Sequence, residues 1–418
     1  MTHVPAEAEK NIRNVTVDRG PFVIPGFRVS AVASGMRYTG RMDLALIVAE
    51  AEKGATAAGV FTTAQFRAAP VTLCKEHLRA SSTRAILINA GIANACTGEE
   101  GLKRARKTAR LTAEALNTPI ETILVASTGV IGLQINVEPV ARSLPELVEG
   151  LRADGWDQVA GAIMTTDTVP KMASTQVEIG GQRITIGGVA KGSGMIAPNM
   201  ATLLAFVCTD AVIERDALED CVREASDSSF NAITVDGDTS TNDTLLVLAS
   251  GAAGNPVIRK KDGPDCRIFG EALTAVLLDL AKQLVMDGEG ATKSIEVRVT
   301  GAPDIASARL VALTVANSPL VKTAFFGEDA NWGRIIAAAG RAGVPLVPER
   351  VALFFDGLCV FREGTPVGGQ ETEEKAMQVF RQKEIAVNLD LGLGSSSFTA
   401  YTCDFSYDYI KINASYRS

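Results

Sequence analysis

Histidine is nearly absent: the 418-residue chain carries only His3 and His77. A Ser-His-Asp or Cys-His enzyme would have to rest on His77, because His3 sits in the N-terminal tail. His77 lies in a helical-looking run, VTLCKEHLRA, where an imidazole is ordinarily a surface or packing residue. Histidine-based metal catalysis is disfavoured for the same reason. A nucleophile in this chain must therefore be activated by some other group. One solution is a threonine whose own freed α-amino group is the base, since that amine has an unperturbed pKa of about 7.7–8.0. An internal threonine reaches this state when its hydroxyl attacks the preceding carbonyl, takes the acyl group from nitrogen to oxygen, and the resulting ester is hydrolysed.

The segment 191–206, KGSGMIAPNMATLLAF, suits such a step. Gly192 and Gly194 permit backbone conformations closed to other residues, and Pro198 fixes its own φ while restricting Ala197. Ala201 is small and leaves its carbonyl open, and Thr202 starts an apolar run expected to be a buried strand. Taken alone, the segment is a Gly-rich loop entering a strand, where threonine is commonplace. Gly192, Gly194 and Ala197 also imitate a dinucleotide fingerprint after a strand expected at 184–189. That fingerprint should open a helix, and Pro198 with the strand-like run interrupts one.

The elements that would position these residues alternate between short β-branched runs and longer helical periods, the pattern of an α/β or α+β protein. Strands are expected at 59–62, 85–89, 123–126, 203–209, 244–249, 295–300, 351–355 and 385–391. Helices are expected at 100–117, 138–153, 213–228, 269–286 and 306–316. The loops NAGIANACTG, STGVIG and VDGDTSTNDT at element ends are natural places to build a site, or simply turns. The stretch 255–266 reads as the clearest exposed loop.

Length predicts two or three packed units. A net charge of -7 without a basic face argues against nucleic acid, and the cluster KRARKTAR reads as the solvated side of a helix. Cys74, Cys96, Cys208, Cys221, Cys266, Cys359 and Cys403 form no Cys-x-x-Cys pair, so neither a metal site nor a disulfide framework is legible. Their dispersion favours a reducing compartment. No run approaches the roughly 18 apolar residues that span a bilayer, so a soluble, cytoplasmic protein is expected.

Several blocks taken together resemble the ornithine acetyltransferase family, also called glutamate N-acetyltransferases. These are NAGIANACTG, ASTGVIG, MTTDTVPK, KGSGMIAPNMATLLAF, DGDTSTNDT, DGEGATKS, VKTAFFGEDANWGR and the closing NASYRS, in the family's order over nearly the whole chain. The resemblance implies that Thr202 is the nucleophile and that the chain cuts itself between Ala201 and Thr202. It implies an oxyanion hole at Thr128 and Gly129, and substrate contacts at Thr165, Lys191, Thr202, Glu289, Asn413 and Ser418. Asn413 and Ser418 would otherwise be dismissed as tail residues, so the resemblance also implies a C-terminus folded back over the site.

The fold implied is a layered α-β-β-α sandwich shared by both sides of the cut, in a catalytic core of residues 1–292. A smaller C-terminal α/β domain would occupy 293–418. The α chain, 1–201, and the β chain, from 202, would stay associated, by family resemblance as an α2β2 assembly. The reaction implied is transfer of acetyl from N-acetylornithine to glutamate through acetyl-Thr202, with no cofactor or metal, in arginine biosynthesis. Some family members also accept acetyl-CoA, a choice this sequence leaves open. The rivals are an N-terminal-nucleophile amidase or aminopeptidase, a nucleotide-dependent oxidoreductase on the 192–197 loop, and an uncleaved binding protein.

Overall fold

The structure is a computed structural model that describes residues 12, 14–79, 82–197, 203–259 and 263–415. His3, Pro198, Ala201, Thr202 and Ser418 lie outside the described residues.

Two sheets stack face to face. The first has the order β1 (Phe27–Val32), β2 (Leu44–Ala49), β4 (Ala85–Ile92), β5 (Ile123–Val130). The second has the order β3 (Thr56–Phe61), β10 (Thr244–Ala249), β8 (Leu204–Thr209), β7 (Gln182–Lys191), β6 (Lys171–Ile179). Side chains alternate between the two faces of a strand, and β8 shows where each face goes. Leu204, Phe206 and Cys208 join the core of the first sheet, whereas Leu203, Ala205 and Val207 join a second core. That second core is closed by α5 (Arg215–Asp227) and α6 (Pro264–Met286), through Leu218, Val222, Phe269, Leu273 and Leu280.

The first core is closed by α1 (Ala69–His77), α2 (Gly98–Ala115), α3 (Val137–Glu149) and α4 (Trp156–Ala162). The layers are therefore helix, sheet, sheet, helix. Parallel strands need a crossover, and α2 supplies it between β4 and β5 as α5 does between β8 and β10.

A third sheet has the order β14 (Thr365–Pro366), β13 (Leu358–Arg362), β12 (Ala352–Phe355), β15 (Glu384–Asp390), β11 (Ser294–Ala302), β16 (Ser396–Cys403), β9 (Ile233–Thr234). Its core includes residues of α7 (Ile305–Ala316), α8 (Pro319–Phe326), α9 (Trp332–Gly340) and α10 (Gln370–Phe380), making a smaller α/β unit. Its edge strand β9 comes from upstream, and Tyr401 and Cys403 of β16 pack into the second core. The last described helix is α11 (Tyr407–Ser415).

Three expectations are corrected. The strands expected to stop at 89 and 126 run on to Ile92 and Val130. Asn89 and Ser127 face each other in register, and the Ser127 hydroxyl donates to Asn89 Oδ1 at 2.6 Å, so these buried polar side chains are paired and the ladder continues. The helix expected to reach 153 ends at Glu149, before Gly150. The stretch 255–266 is not simply an exposed loop. Asn255 is buried and its Oδ1 accepts from Val212 N at 2.7 Å, while Cys266 is buried in the first turn of α6. His77 is a packing residue, buried with Nδ1 2.7 Å from the Ile123 carbonyl.

Candidate active site

The extension of β4 and β5 sets the first wall of the site. Thr128 lies opposite Ala90 and Gly129 opposite Gly91. Gly129 has φ +129°, and a Cβ built there would overlap the Gly91 backbone, so only glycine fits. Gly129→Ala is expected to displace β4 and abolish activity. A soluble variant with wild-type turnover would show that this close approach is dispensable.

The second wall is the end of β7. Lys191, buried at 4% exposure, pairs in register with Leu204 of β8. Its Nζ donates to Thr165 Oγ1 at 2.8 Å and Thr128 Oγ1 at 3.2 Å, and lies 3.9 Å from Asp167 Oδ2. Polar residues of two distant segments, Thr128 from one and Thr165 with Asp167 from the other, thus meet around one ammonium. Burial lowers the Lys191 pKa, opposed chiefly by the charge of Asp167.

Asp167 organises this wall. Its carboxylate accepts from Gly192 N at 2.7 Å, Thr165 N at 3.0 Å and Lys171 Nζ at 2.7 Å. Burial would push this carboxyl up, but Lys191, Lys171 and the Thr165 amide outweigh it and hold it at about 2. Lys171 also reaches Asp287 Oδ2 at 2.5 Å, so buried charges alternate from Lys191 through Asp167 and Lys171 to Asp287.

Asp287 leads into the third wall. The Ser193 hydroxyl donates to its carbonyl at 2.6 Å, and Glu289 N donates to the Ser193 carbonyl at 2.9 Å. A side chain on Gly194 would collide with the Glu289 carboxylate, so that glycine lets loop and carboxylate approach. From α11, Asn413 Nδ2 donates to Glu289 Oε2 at 2.8 Å. The Ser406 hydroxyl, donating to the Gly290 carbonyl at 2.6 Å, anchors the start of that helix on the same loop.

Thr128, Gly129, Thr165, Lys191, Glu289 and Asn413 therefore line one cavity of about 90 Å³. It presents a cation on one side and a carboxylate on another, which suits a small molecule carrying both charges. Ala201, Thr202 and Ser418 are not among the described residues, but the chain on either side of 198–202 is. Asp236 accepts from Met195 N at 2.6 Å and Ile196 N at 2.8 Å, and Met195 has φ +57°. Leu203 N donates to Asp243 Oδ1 at 3.1 Å, and Thr244 N to the Leu203 carbonyl at 3.0 Å.

Sequence reasoning missed Asp167, Asp236, Asn242 and Asp243 as parts of the site. Asn242 Nδ2 donates to the Ala93 and Ser127 carbonyls, both at 2.7 Å, and so joins its loop to the ends of β4 and β5. All four lie within quoted blocks, MTTDTVPK and VDGDTSTNDT, and their membership was the available signal. Among the described residues no cluster of three or more His, Cys, Asp or Glu side chains could hold a metal, and no helix is long and apolar enough to cross a membrane.

The sequence pattern described as the ArgJ family matches residues 28–418. An arginine biosynthesis bifunctional protein ArgJ of Geobacter sulfurreducens is 50% identical over 395 residues, covering 94% of this chain and 100% of the relative. That of Desulfotalea psychrophila has the same identity and coverage, 50% over 395 residues, 94% and 100%. Among solved structures, an arginine biosynthesis bifunctional protein argJ from Bacillus halodurans is 41% identical, covering 50% of this chain and 96% of that one, with a TM-score of 0.48.

Proposed function

The chain belongs to the ArgJ family, and from that premise we propose that it is a glutamate N-acetyltransferase of arginine biosynthesis, moving acetyl from N-acetylornithine to glutamate on the Thr202 hydroxyl. The observation that supports this best is the convergence of Thr128, Thr165, Lys191, Glu289 and Asn413 on one cavity, walled by the strand end that pairs with Leu204. In this reading Thr202 first attacks the Ala201 carbonyl. The ester formed is hydrolysed, giving an α chain of 1–201 and a β chain starting at Thr202 with a free amine.

The substrate carboxylate then meets Lys191, and the side-chain ammonium of N-acetylornithine meets Glu289, which Asn413 holds. Thr202 Oγ forms a bond to the acetyl carbon and its proton passes to the α-amine. The tetrahedral oxyanion is taken by Gly129 N–H and by the Thr128 hydroxyl, whose oxygen already accepts from Lys191 and whose hydrogen is left to donate. Collapse breaks the acetamide C–N bond, the amine returns its proton to nitrogen, and ornithine leaves. Glutamate reverses the sequence and departs acetylated. Ser418 would close the site from the C-terminal end.

The relatives are named bifunctional, and this reading takes acetyl-CoA as the second donor. The same reading has 1–292 as catalytic core, 293–418 as C-terminal domain, an α2β2 assembly and a cytoplasmic enzyme. The test is incubation with acetyl-labelled N-acetylornithine. Label on the peptide beginning at Thr202, discharged to glutamate, is the expected result. Release of acetate alone, indifferent to glutamate, would make the protein an amidase. In Thr128→Val, kcat is expected to fall about 100- to 1,000-fold with KM little changed.

A further inference from the structure

Asp243 has no role in that mechanism, yet its surroundings are unusual. It is fully buried immediately before β10, and its Oδ1 accepts the Leu203 amide at 3.1 Å. Its other oxygen, Oδ2, is buried without a hydrogen-bond partner among the described residues. The nearby Thr62 hydroxyl helps to hold the carboxyl down, but it lies 2.7 Å from the Ser240 carbonyl, which takes its one proton. Buried carboxyl oxygens are nearly always bonded, so an orphan calls for a partner the described structure does not include. Leu203 follows Thr202 directly, and three covalent bonds separate their nitrogens, a span of at most about 3.6 Å. The carboxyl that holds the Leu203 amide thus stands one residue along the chain from the nitrogen that cutting would free.

We propose that Asp243 is the proton-exchange partner of the Thr202 α-amino group, with Oδ2 receiving that amine once the chain is cut. The proposal rests on the acetyl-threonine reading and deepens it. The pair holds one proton and interconverts between carboxylate with ammonium and carboxylic acid with free amine. Burial pushes the Asp243 carboxyl well above the usual carboxylate range, only partly offset by the Leu203 amide, the Thr62 hydroxyl and the Lys191 charge, so the second form is accessible. Lys191, at the end of β7, is the cation that faces Asp243, and it is itself faced by Asp167, Lys171 and Glu289.

With the proton on Asp243 the amine is neutral and accepts the Thr202 hydroxyl proton as Oγ bonds to the acetyl carbon. That proton then goes to the ornithine nitrogen as the C–N bond breaks, and Asp243 ends as it began. In self-cleavage the acid protonates the departing Thr202 nitrogen and recovers the hydroxyl proton, again without net change.

Asp243→Asn keeps an acceptor for Leu203 and the side-chain volume but holds no exchangeable acid proton. Cleavage is followed by intact mass, and kcat/KM of the cut fraction is measured against pH beside wild type. The expected result is cleavage slower by at least about 100-fold and kcat/KM lower by a similar factor. The two-limbed wild-type pH profile should become a single rise to a plateau. A variant cut at the wild-type rate, with unchanged kcat/KM and both limbs intact, would overturn the proposal.

Should the variant not fold, wild-type enzyme is treated with acetic anhydride across pH and acetylation is read on the Thr202 amine by peptide mass. Two-step titration is expected, and one ionisation in the ordinary range of about 7.7–8.0 would overturn the proposal. Active wild type with no N-terminus at Thr202 would sink the acetyl-threonine reading itself. Cut, active enzyme indifferent to Asp243 would sink only this one.

Discussion

Thr202→Ala is expected to yield one uncut chain in intact-mass analysis, where wild type gives two fragments meeting at Ala201 and Thr202, and to lower acetyl transfer by about 10⁴- to 10⁶-fold. One hydroxyl supports both effects. Without it there is no N-to-O acyl shift, and without the shift there is no free amine to act as base. An uncut chain that kept its hydroxyl would also be inactive, because an amide nitrogen has no basic lone pair. Thr202→Ser, which keeps the hydroxyl, should therefore restore cutting and transfer together. An intact wild-type chain that turned over N-acetylornithine would refute the N-terminal-nucleophile mechanism outright. The substitution should spare the fold, since Leu203 is held through its backbone, by Asp243 and Thr244.

Local pattern made much of the scaffold legible. The strand expected at 244–249 is the one observed, because the run TLLVLA is continuously apolar and bounded by Asp243 and Ser250. Legibility failed where a polar residue's fate depends on a distant partner. Asn89 and Ser127 look like strand ends until each is seen to be the other's hydrogen-bond partner across 38 positions. Asp167 and Asp243 sit among threonines and asparagines, the residues of turns, and nothing within a few positions says that either is buried. Asp167 has a local partner in Lys171, but Asp287, which completes the chain of charges, is 116 positions from that lysine. Thr202 is singled out as the proposed nucleophile by the family's ordered blocks, and the histidine shortage only makes its type of chemistry attractive.

That chain of charges sets the second large effect. Asp167→Asn removes the anion that Lys171 and Lys191 face, leaving two buried cations with Asp287 alone in contact with one of them. Breaking a buried pair from one side typically costs about 3–5 kcal/mol, so the urea midpoint should fall markedly. The same carboxylate orients Thr165 and Gly192 through their amides, so KM for N-acetylornithine should rise as Lys191 and Thr165 lose their setting.

The pH dependence follows from the sign of the shift. Asp167 is held at about 2 in the folded protein against 3.8 when unfolded, so the unfolded chain binds the proton more readily. The stabilisation, roughly 2 kcal/mol, is full above the unfolded value and is lost as pH falls from there through the folded one. Wild type should thus lose stability between about pH 4 and pH 2 more steeply than Asp167→Asn, which has nothing at this position left to protonate. Equal acid slopes in the two proteins would mean that Asp167 does not bear the charge on which the Lys191 wall is built.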